Sequence, residues 1–474
     1  MALQHEKLPR RLLFLFTIGF LVFFCSSLAR HMLFQSNLWD LGIFSQAAFL
    51  ISRGQTPLIT TLGFHILSDH ASVVLYPLAI LYWLWPGPEI LFMVQSFSFA
   101  LGSLFIYNLA KQRNLSDDWA LVGVTCYLLF PALFNINLFD FHPDVLAVPA
   151  LLWAVQAGLT QRPWELACAV LVILSCKEIL SLTVIALGIW LFWVVGQRLY
   201  GAFAITAGAG WFLLATYYLI PYFTPGKLPS GVGRYSYLGS SPSEIFWHIL
   251  NNPGLIVQRF FTGEALLYYV FLLAPVAIAL SWRQAAILLP ALPAFLLNII
   301  SSESGQRGLI FQYQLTIFPF LILWLLYSIA AFQKEERRLW LTPRWMIAWS
   351  TLAFLVLAKY IYFFSLYLSN LSNLAAVQQA VHLVEGPEGV LAPSQITAHL
   401  SGRQTAEMIR SSVVWNSVSL QPYQYVLLDL RHPGYTNDDA SNRRLLEALH
   451  RLKDFRQIYS RDDVLLFQRQ KSKL

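Results

Sequence analysis

Charge is the scarce ingredient of this 474-residue sequence: Asp, Glu, Lys and Arg make up only 12% of it, while hydrophobic residues make up 57%. Soluble domains carry about 25% charged residues, so the chain has too few water-compatible groups to coat a globular surface. That excludes a soluble enzyme, a disordered chain and a nucleic-acid-binding protein. Cysteine is scarce as well. Cys25, Cys126, Cys168 and Cys176 lie in apolar runs without CxxC spacing or a Cys/His cluster, so they read as small buried hydrophobes and not as a disulfide framework or zinc site. A glycine-rich phosphate loop is missing, which argues against an ATP-driven mechanism.

What is abundant is long apolar sequence. A spanning helix needs about 20 mostly apolar residues, and short basic loops stay on the cytoplasmic side. The first run, Leu12 to Ala29, follows Lys7, Arg10 and Arg11 and reads as an uncleaved anchor with its N-terminus inside. The run Ala71 to Trp85 is short and ends at Pro86-Gly87-Pro88, so residues 71–85 are expected to form a re-entrant or juxtamembrane helix within an outer loop, residues 30–88. Eleven spans are then expected, near 12–29, 89–110, 119–135, 145–160, 164–179, 180–196, 200–221, 264–281, 285–301, 309–332 and 345–368. This arrangement puts 12 Lys and Arg in short cytoplasmic stretches and 7 in longer outer loops, so much of the net charge of +7 reflects topology. The expected fold is an all-α polytopic membrane domain, residues 1–369, followed by a small extracytoplasmic α/β domain, residues 370–474. The latter has strand-like runs at Gly389–Ala392, Tyr425–Leu430 and Val464–Phe467 and a helix at Ser441–Leu452. Asp438 and Asp439 precede that helix and suit its N-terminus better than chemistry.

With this topology the polar residues fall on one face. Trp39, Asp40 and Gln46 belong to the first outer loop with Asp69 and His70; Asp140, His142 and Asp144 belong to the second. Lys177-Glu178 turns a hairpin between spans, and Arg307 and Tyr313 stand at the outer mouth of the tenth. Ionisable groups near hydrocarbon are costly and mark function. Plainer roles compete: Asp144 follows a proline and suits a helix cap, Lys177 and Glu178 suit an ion pair with each other, and Trp83 and Trp85 suit an interfacial belt.

These strings carry a resemblance. Asn37-Leu38-Trp39-Asp40-Leu41-Gly42-Ile43-Phe44-Ser45-Gln46, Ser68-Asp69-His70, Leu138 to Asp144, Lys177-Glu178 and Gln312-Tyr313-Gln314 resemble a bacterial family of polytopic membrane proteins defined by a domain of unknown function. The layout resembles the GT-C superfamily of integral-membrane glycosyltransferases, including protein mannosyltransferases and the aminoarabinose transferase of lipid A. The resemblance covers residues 30–330 well and the C-terminal part weakly. It departs at Gln312-Tyr313, where a His-Tyr pair is expected.

The resemblance implies an inverting glycosyltransferase of the bacterial inner membrane that uses a polyprenyl-phosphate sugar donor and an unidentified acceptor on the extracytoplasmic face. Asp40 would be the general base. Trp39, Gln46, Asp69, His70, Asp140, His142, Lys177, Glu178, Arg307 and Tyr313 would line the substrate, with His70, Lys177 and Arg307 as cations toward the leaving phosphate. Oligosaccharyltransferases of the superfamily use a divalent cation and mannosyltransferase-like members do not. The ligands on offer to Mn or Mg are Asp69, His70, Asp140, His142 and Asp144. A transporter or flippase of a lipid-linked precursor is the main alternative, but transporters place charge near the midplane and carry repeated halves, and neither feature is evident. A scaffold recruiting envelope partners leaves the clustered acids unexplained.

Overall fold

A computed structural model describes residues 9–335 and 341–470. Lys7, Arg337 and Arg338, three charges of the topology count, lie outside the described residues. Each of the eleven expected spans overlaps helical residues, but the helices differ in length and several cover only part of the expected span. Six among the described residues are long and apolar enough to cross a bilayer: Arg10–Met32, Glu89–Gln112, Arg198–Phe223, Trp282–Ile300, Gln312–Lys334 and Pro343–His382. Two bent pairs raise the count to eight if each is one span: Asp117–Leu128 with Pro131–Phe139 at 41°, and Pro253–Phe260 with Gly263–Leu273 at 58°. The expected spans at 145–160, 164–179 and 180–196 are the shorter apolar helices Pro143–Leu159, Pro163–Cys176 and Leu180–Val195. Pro131 explains the first bend, since proline opens a helix but cannot continue one.

The segment before Pro86 is a helix of five residues, Leu75–Ala79, followed by four of 3-10 helix, Ile80–Trp83. That is about 15 Å of helix, half the hydrocarbon thickness of about 30 Å, so it cannot cross. The same segment between helices Arg10–Met32 and Glu89–Gln112 also carries the buried helix Ile43–Ser52 and a two-strand hairpin, β1 (Leu58–Ile59) and β2 (Phe64–His65).

Helices Leu180–Ile189 and Arg198–Leu214 pack backbone to backbone. A Cβ on Gly188 would stand 2.7 Å from the Gly201 carbonyl oxygen, and one on Gly201 would stand 2.6 Å from that of Gly188. Small residues permit such approach between membrane helices. Gly188→Val should therefore force the pair apart and cost about 1–3 kcal/mol, read as a lowered melting temperature of the detergent-purified protein. An unchanged melt would mean the helices part freely. One expectation about cysteine is corrected: Cys126 and Cys176 are buried, but Cys25 and Cys168 are exposed on their helices. An apolar run facing lipid needs no burial within the chain.

The polar C-terminal part forms a five-stranded mixed sheet. Its strands are β3 (Val390–Ala392), β4 (Ala406–Met408), β5 (Tyr425–Asp429), β6 (Phe455–Arg461) and β7 (Val464–Arg469), in the order β4-β3-β5-β7-β6. β3 runs parallel to β4 and β5, while β7 runs antiparallel to β5 and β6. Asp462 and Asp463, both with positive φ, turn the β6–β7 hairpin, and Asp438 caps helix Asp439–Arg451 by accepting from the Ser441 amide at 2.7 Å. This part is docked, not merely tethered. Ser401 bonds Ser45 at 2.8 Å, the Leu38 amide donates to Ser394 Oγ at 3.1 Å, and His399 stacks on His31 at 3.7 Å between ring centroids.

Candidate active site

Two polar clusters form where helix ends meet the segment between helices Arg10–Met32 and Glu89–Gln112. The first is built on Asp140. Helix Pro131–Phe139 ends there, and Asp140 and His142 are extended until Pro143 opens the next turn. Extended backbone between two helices frees these side chains from either helix face. Asp140 is fully buried and accepts from Arg30 Nη1 at 2.5 Å and from the Asn37 amide and Nδ2 at 3.2 and 3.1 Å. Arg30 lies in the last turn of helix Arg10–Met32, where a cation suits the helix dipole. Burial pushes the Asp140 carboxyl up to about 6; Arg30 opposes this and the neighbouring Asp40 charge adds to it.

Asp40 sits above this pair in a single π-helical turn, Leu38–Gly42, capped by Asn37, whose Oδ1 accepts from the Asp40 amide at 3.1 Å. One carboxylate oxygen accepts from Asn37 Nδ2 at 3.1 Å, and the other lies 3.2 Å from His142 Nε2. His142 Nδ1 is 3.3 Å from the Asp140 carbonyl oxygen. Both ring nitrogens thus face oxygen atoms. Phe139 stacks on the His142 ring and Phe44 meets it edge-on, which fixes its orientation. Burial raises the Asp40 pKa, but the hydrogen bonds and charges of His142, Asn37 and Arg30 outweigh it and hold the carboxyl below its usual range. The side chain keeps 24% exposure, so an ionised carboxylate, rigidly held, remains open to a ligand.

The second cluster crowns a cavity of about 490 Å³. Its polar end carries His70, Asp144, Lys177, Glu178, Arg234 and Tyr313, and its walls are apolar, with Leu182, Phe212, Ile245, Phe246 and Trp247 among them. Lys177 pairs with Asp144 at 2.8 Å, and His70 Nδ1 lies 3.4 Å from Glu178. The expected pairing of Lys177 with Glu178 is therefore corrected. Successive residues between helix ends project apart, and each finds its partner on another segment. The pairing also corrects the capping role expected of Asp144. Burial opposes the Lys177 charge, but Asp144 outweighs it. Burial likewise opposes charge on His70, yet Asp69 and Glu178 raise its pKa above the ordinary 6.5. Asp69 is held low: His70, Ser230, Lys177 and Lys227 together outweigh the upward push of burial.

Arg234 is the residue that sequence reading missed. Its guanidinium lies 5.0 Å above the Tyr313 ring, and among the described residues no carboxylate pairs it. Oxygens of three lining residues, Asp144 Oδ1, Glu178 Oε2 and Gln312 Oε1, are buried without a hydrogen-bond partner. The cavity end thus offers an unpaired cation and unused acceptors.

Two expected substrate residues lie elsewhere. Arg307 spends its donors on Glu264 at 2.7 and 3.1 Å and on the carbonyls of Asn298 and Ser301 at 3.2 and 2.8 Å. Gln46 is buried and bonds Thr60 and the carbonyls of Arg403 and Gln404, tying the loop to the C-terminal part. Trp39 is exposed beneath Arg410. The five residues offered to Mn or Mg divide between the clusters, Asp140 and His142 in the first and Asp69, His70 and Asp144 in the second. Among the described residues no three His, Cys, Asp or Glu side chains converge on one ion. The two clusters are linked by the chain from Asp140 to Asp144 and by a row of rings: Phe139 meets Phe311 at 4.7 Å, and Phe311 meets Tyr313 at 6.3 Å.

Residues 30–466 match a family described as predicted membrane protein, DUF2079. No curated protein matches the sequence. Solved structures do match. ArnT from Cupriavidus metallidurans bound to undecaprenyl phosphate is 13% identical with a TM-score of 0.54, over 96% of this chain and 97% of that one. The same ArnT in its apo state is 12% identical with a TM-score of 0.51, over the same shares. The arabinofuranosyltransferase AftD from Mycobacteria is 13% identical with a TM-score of 0.52, over all of this chain but 41% of the larger one. At such identity the likeness speaks for the fold, which is GT-C-like.

Proposed function

The chain belongs to the DUF2079 family of predicted membrane proteins, and from that premise we propose that it is an inverting glycosyltransferase of the bacterial inner membrane. It takes a sugar from a polyprenyl-phosphate donor and passes it to an acceptor hydroxyl on the extracytoplasmic face, with the N-terminus in the cytoplasm. The observation that carries the reading is the division of the cavity into an apolar wall and a polar end, where Arg234, Lys177 and His70 stand among the carboxylates of Asp144 and Glu178, an end that the chain from Asp140 to Asp144 joins to the cluster holding the clamped carboxylate of Asp40. The wall suits a prenyl chain, and Arg234, Lys177 and charged His70 suit its phosphate. The structural likeness to ArnT, itself bound to undecaprenyl phosphate, supports the same assignment.

In this reading Asp40 accepts the proton of the acceptor hydroxyl as its oxygen attacks the anomeric carbon. The bond from that carbon to the phosphate oxygen breaks, and the electron pair leaves with polyprenyl phosphate. One displacement inverts the centre. The cations at the cavity end stabilise the charge that grows on the phosphate. The donor sugar lies between that end and Asp40, along the row Phe139–Phe311–Tyr313.

Undecaprenyl phosphate binding by the purified protein tests the phosphate end. Arg234→Ala should weaken it by roughly 10- to 100-fold, the worth of one charge-assisted hydrogen bond. Because the His70 pKa is raised, its charge is complete at low pH and lost as pH rises past a value above 6.5. Across that window the affinity of wild type should fall relative to that of His70→Gln, whose remaining pH dependence is that of the phosphate's own second ionisation. Affinity that ignores both Arg234 and pH would remove the phosphate from this cavity.

A further inference from the structure

The surface around Asp40 is made by two distant parts of the chain, and its composition points to the acceptor. Trp39, beside the carboxylate, is 42% exposed, and the Arg410 guanidinium lies 5.4 Å from its ring centroid. Arg410 is anchored by one nitrogen only, which donates to the Thr61 carbonyl at 3.0 Å and to Glu407 at 3.1 Å. Its other N–H groups remain available among the described residues. Tyr435 is 61% exposed and is placed on the same side by its neighbours: a Cβ on Gly434 would lie 3.6 Å from Ser394 N, and Thr436 bonds the carbonyl of Ile409, next to Arg410. Ser394 is also the group that receives the Leu38 amide, two residues before Asp40.

The tyrosine is held in place. Gly434, with φ +88°, comes so close that a Cβ there would lie 2.7 Å from Gln395 Oε1. Thr436 donates to the Ile409 carbonyl at 2.9 Å, and its own carbonyl accepts from Ser411 at 3.0 Å. An exposed aromatic ring fixed on both sides by its backbone serves neither a core nor a flexible tail.

We propose that Trp39, Arg410 and Tyr435 form the acceptor subsite, and that its occupant is a saccharide ring. Two partly exposed aromatic rings suit the C–H face of a pyranose or furanose, and the unused guanidinium N–H groups suit its hydroxyl oxygens. A peptide acceptor fits less well. Peptides add to an open sheet edge or fill a groove, and at the nearby edge strand β4 the Ala406 and Met408 amides are already taken by Thr60 and Glu407. The proposal rests on the transferase reading, because it is Asp40 that gives the subsite its use.

The test uses the full-length protein in detergent and a panel of methyl glycosides of hexoses, pentoses and N-acetylhexosamines, followed by saturation-transfer NMR. At least one glycoside should bind. Trp39→Ala and Tyr435→Ala should each weaken it by roughly five- to tenfold, while Tyr435→Phe keeps it. Arg410→Gln, which leaves both rings, should weaken it too and carries the test if an alanine variant fails to fold. A panel with no binder, or variants that bind as wild type does, would overturn the proposal. Saccharide binding without any sugar transfer sinks the transferase reading and leaves the subsite. Transfer with an unchanged acceptor KM in Tyr435→Ala does the reverse.

Discussion

Asp40→Asn should lower sugar transfer by roughly 10²- to 10⁴-fold, the usual contribution of a positioned general base, while the protein still folds and still binds undecaprenyl phosphate. The fold should survive because Asn37 Oδ1 still accepts from the backbone amide of residue 40, and only the contact of Asn37 Nδ2 with the side-chain oxygen changes. Lipid binding should survive because Asp40 does not line the cavity. The loss should fall on kcat, since a proton acceptor acts only as the hydroxyl attacks. Transfer at the wild-type rate in this variant would take Asp40 out of the mechanism.

Arg30→Leu should be the most damaging single change to the site. It leaves Asp140, which is fully buried, without its cation, and breaking a buried ion pair from one side costs about 3–5 kcal/mol. Asn37 depends on the same carboxylate, so the turn that presents Asp40 should loosen with it. Removing both charges should cost less than removing one, because no buried charge is then stranded. Melting curves of Arg30→Leu, Asp140→Leu and the double variant test this. A double variant as unstable as the sum of the singles would mean that Arg30 and Asp140 act independently.

Much of this was legible in the sequence, for identifiable reasons. Long apolar runs announce helices because the bilayer tolerates little else, and the proline break after Trp85 marks a segment too short to cross. Asp40, Asp140 and His142 stood out as ionisable groups beside apolar sequence, and the fold brings them together. The remainder depended on tertiary partners. Arg234 looks like any loop arginine until the segment carrying it folds over the cavity and leaves it without a carboxylate. Gln46 and Arg307 looked equally functional, yet their hydrogen bonds are consumed within the protein. Which partner a buried polar group finds is set by chain elements more than 40 residues away, as with Arg307 and Glu264 or Gln46 and Gln404. The strand Ala406–Met408 is too short for alternation to register, and it exists only because β3 lies beside it.

The most direct test is a proteoliposome experiment with a polyprenyl-phosphate donor labelled in its sugar. Bond breakage on one face of the membrane should release unglycosylated polyprenyl phosphate in step with label appearing on an acceptor, and Asp40→Asn should stop both. Label that crosses the bilayer still attached to its lipid, equally in wild type and Asp40→Asn, would identify a carrier of lipid-linked sugars and contradict the assignment of a transferase.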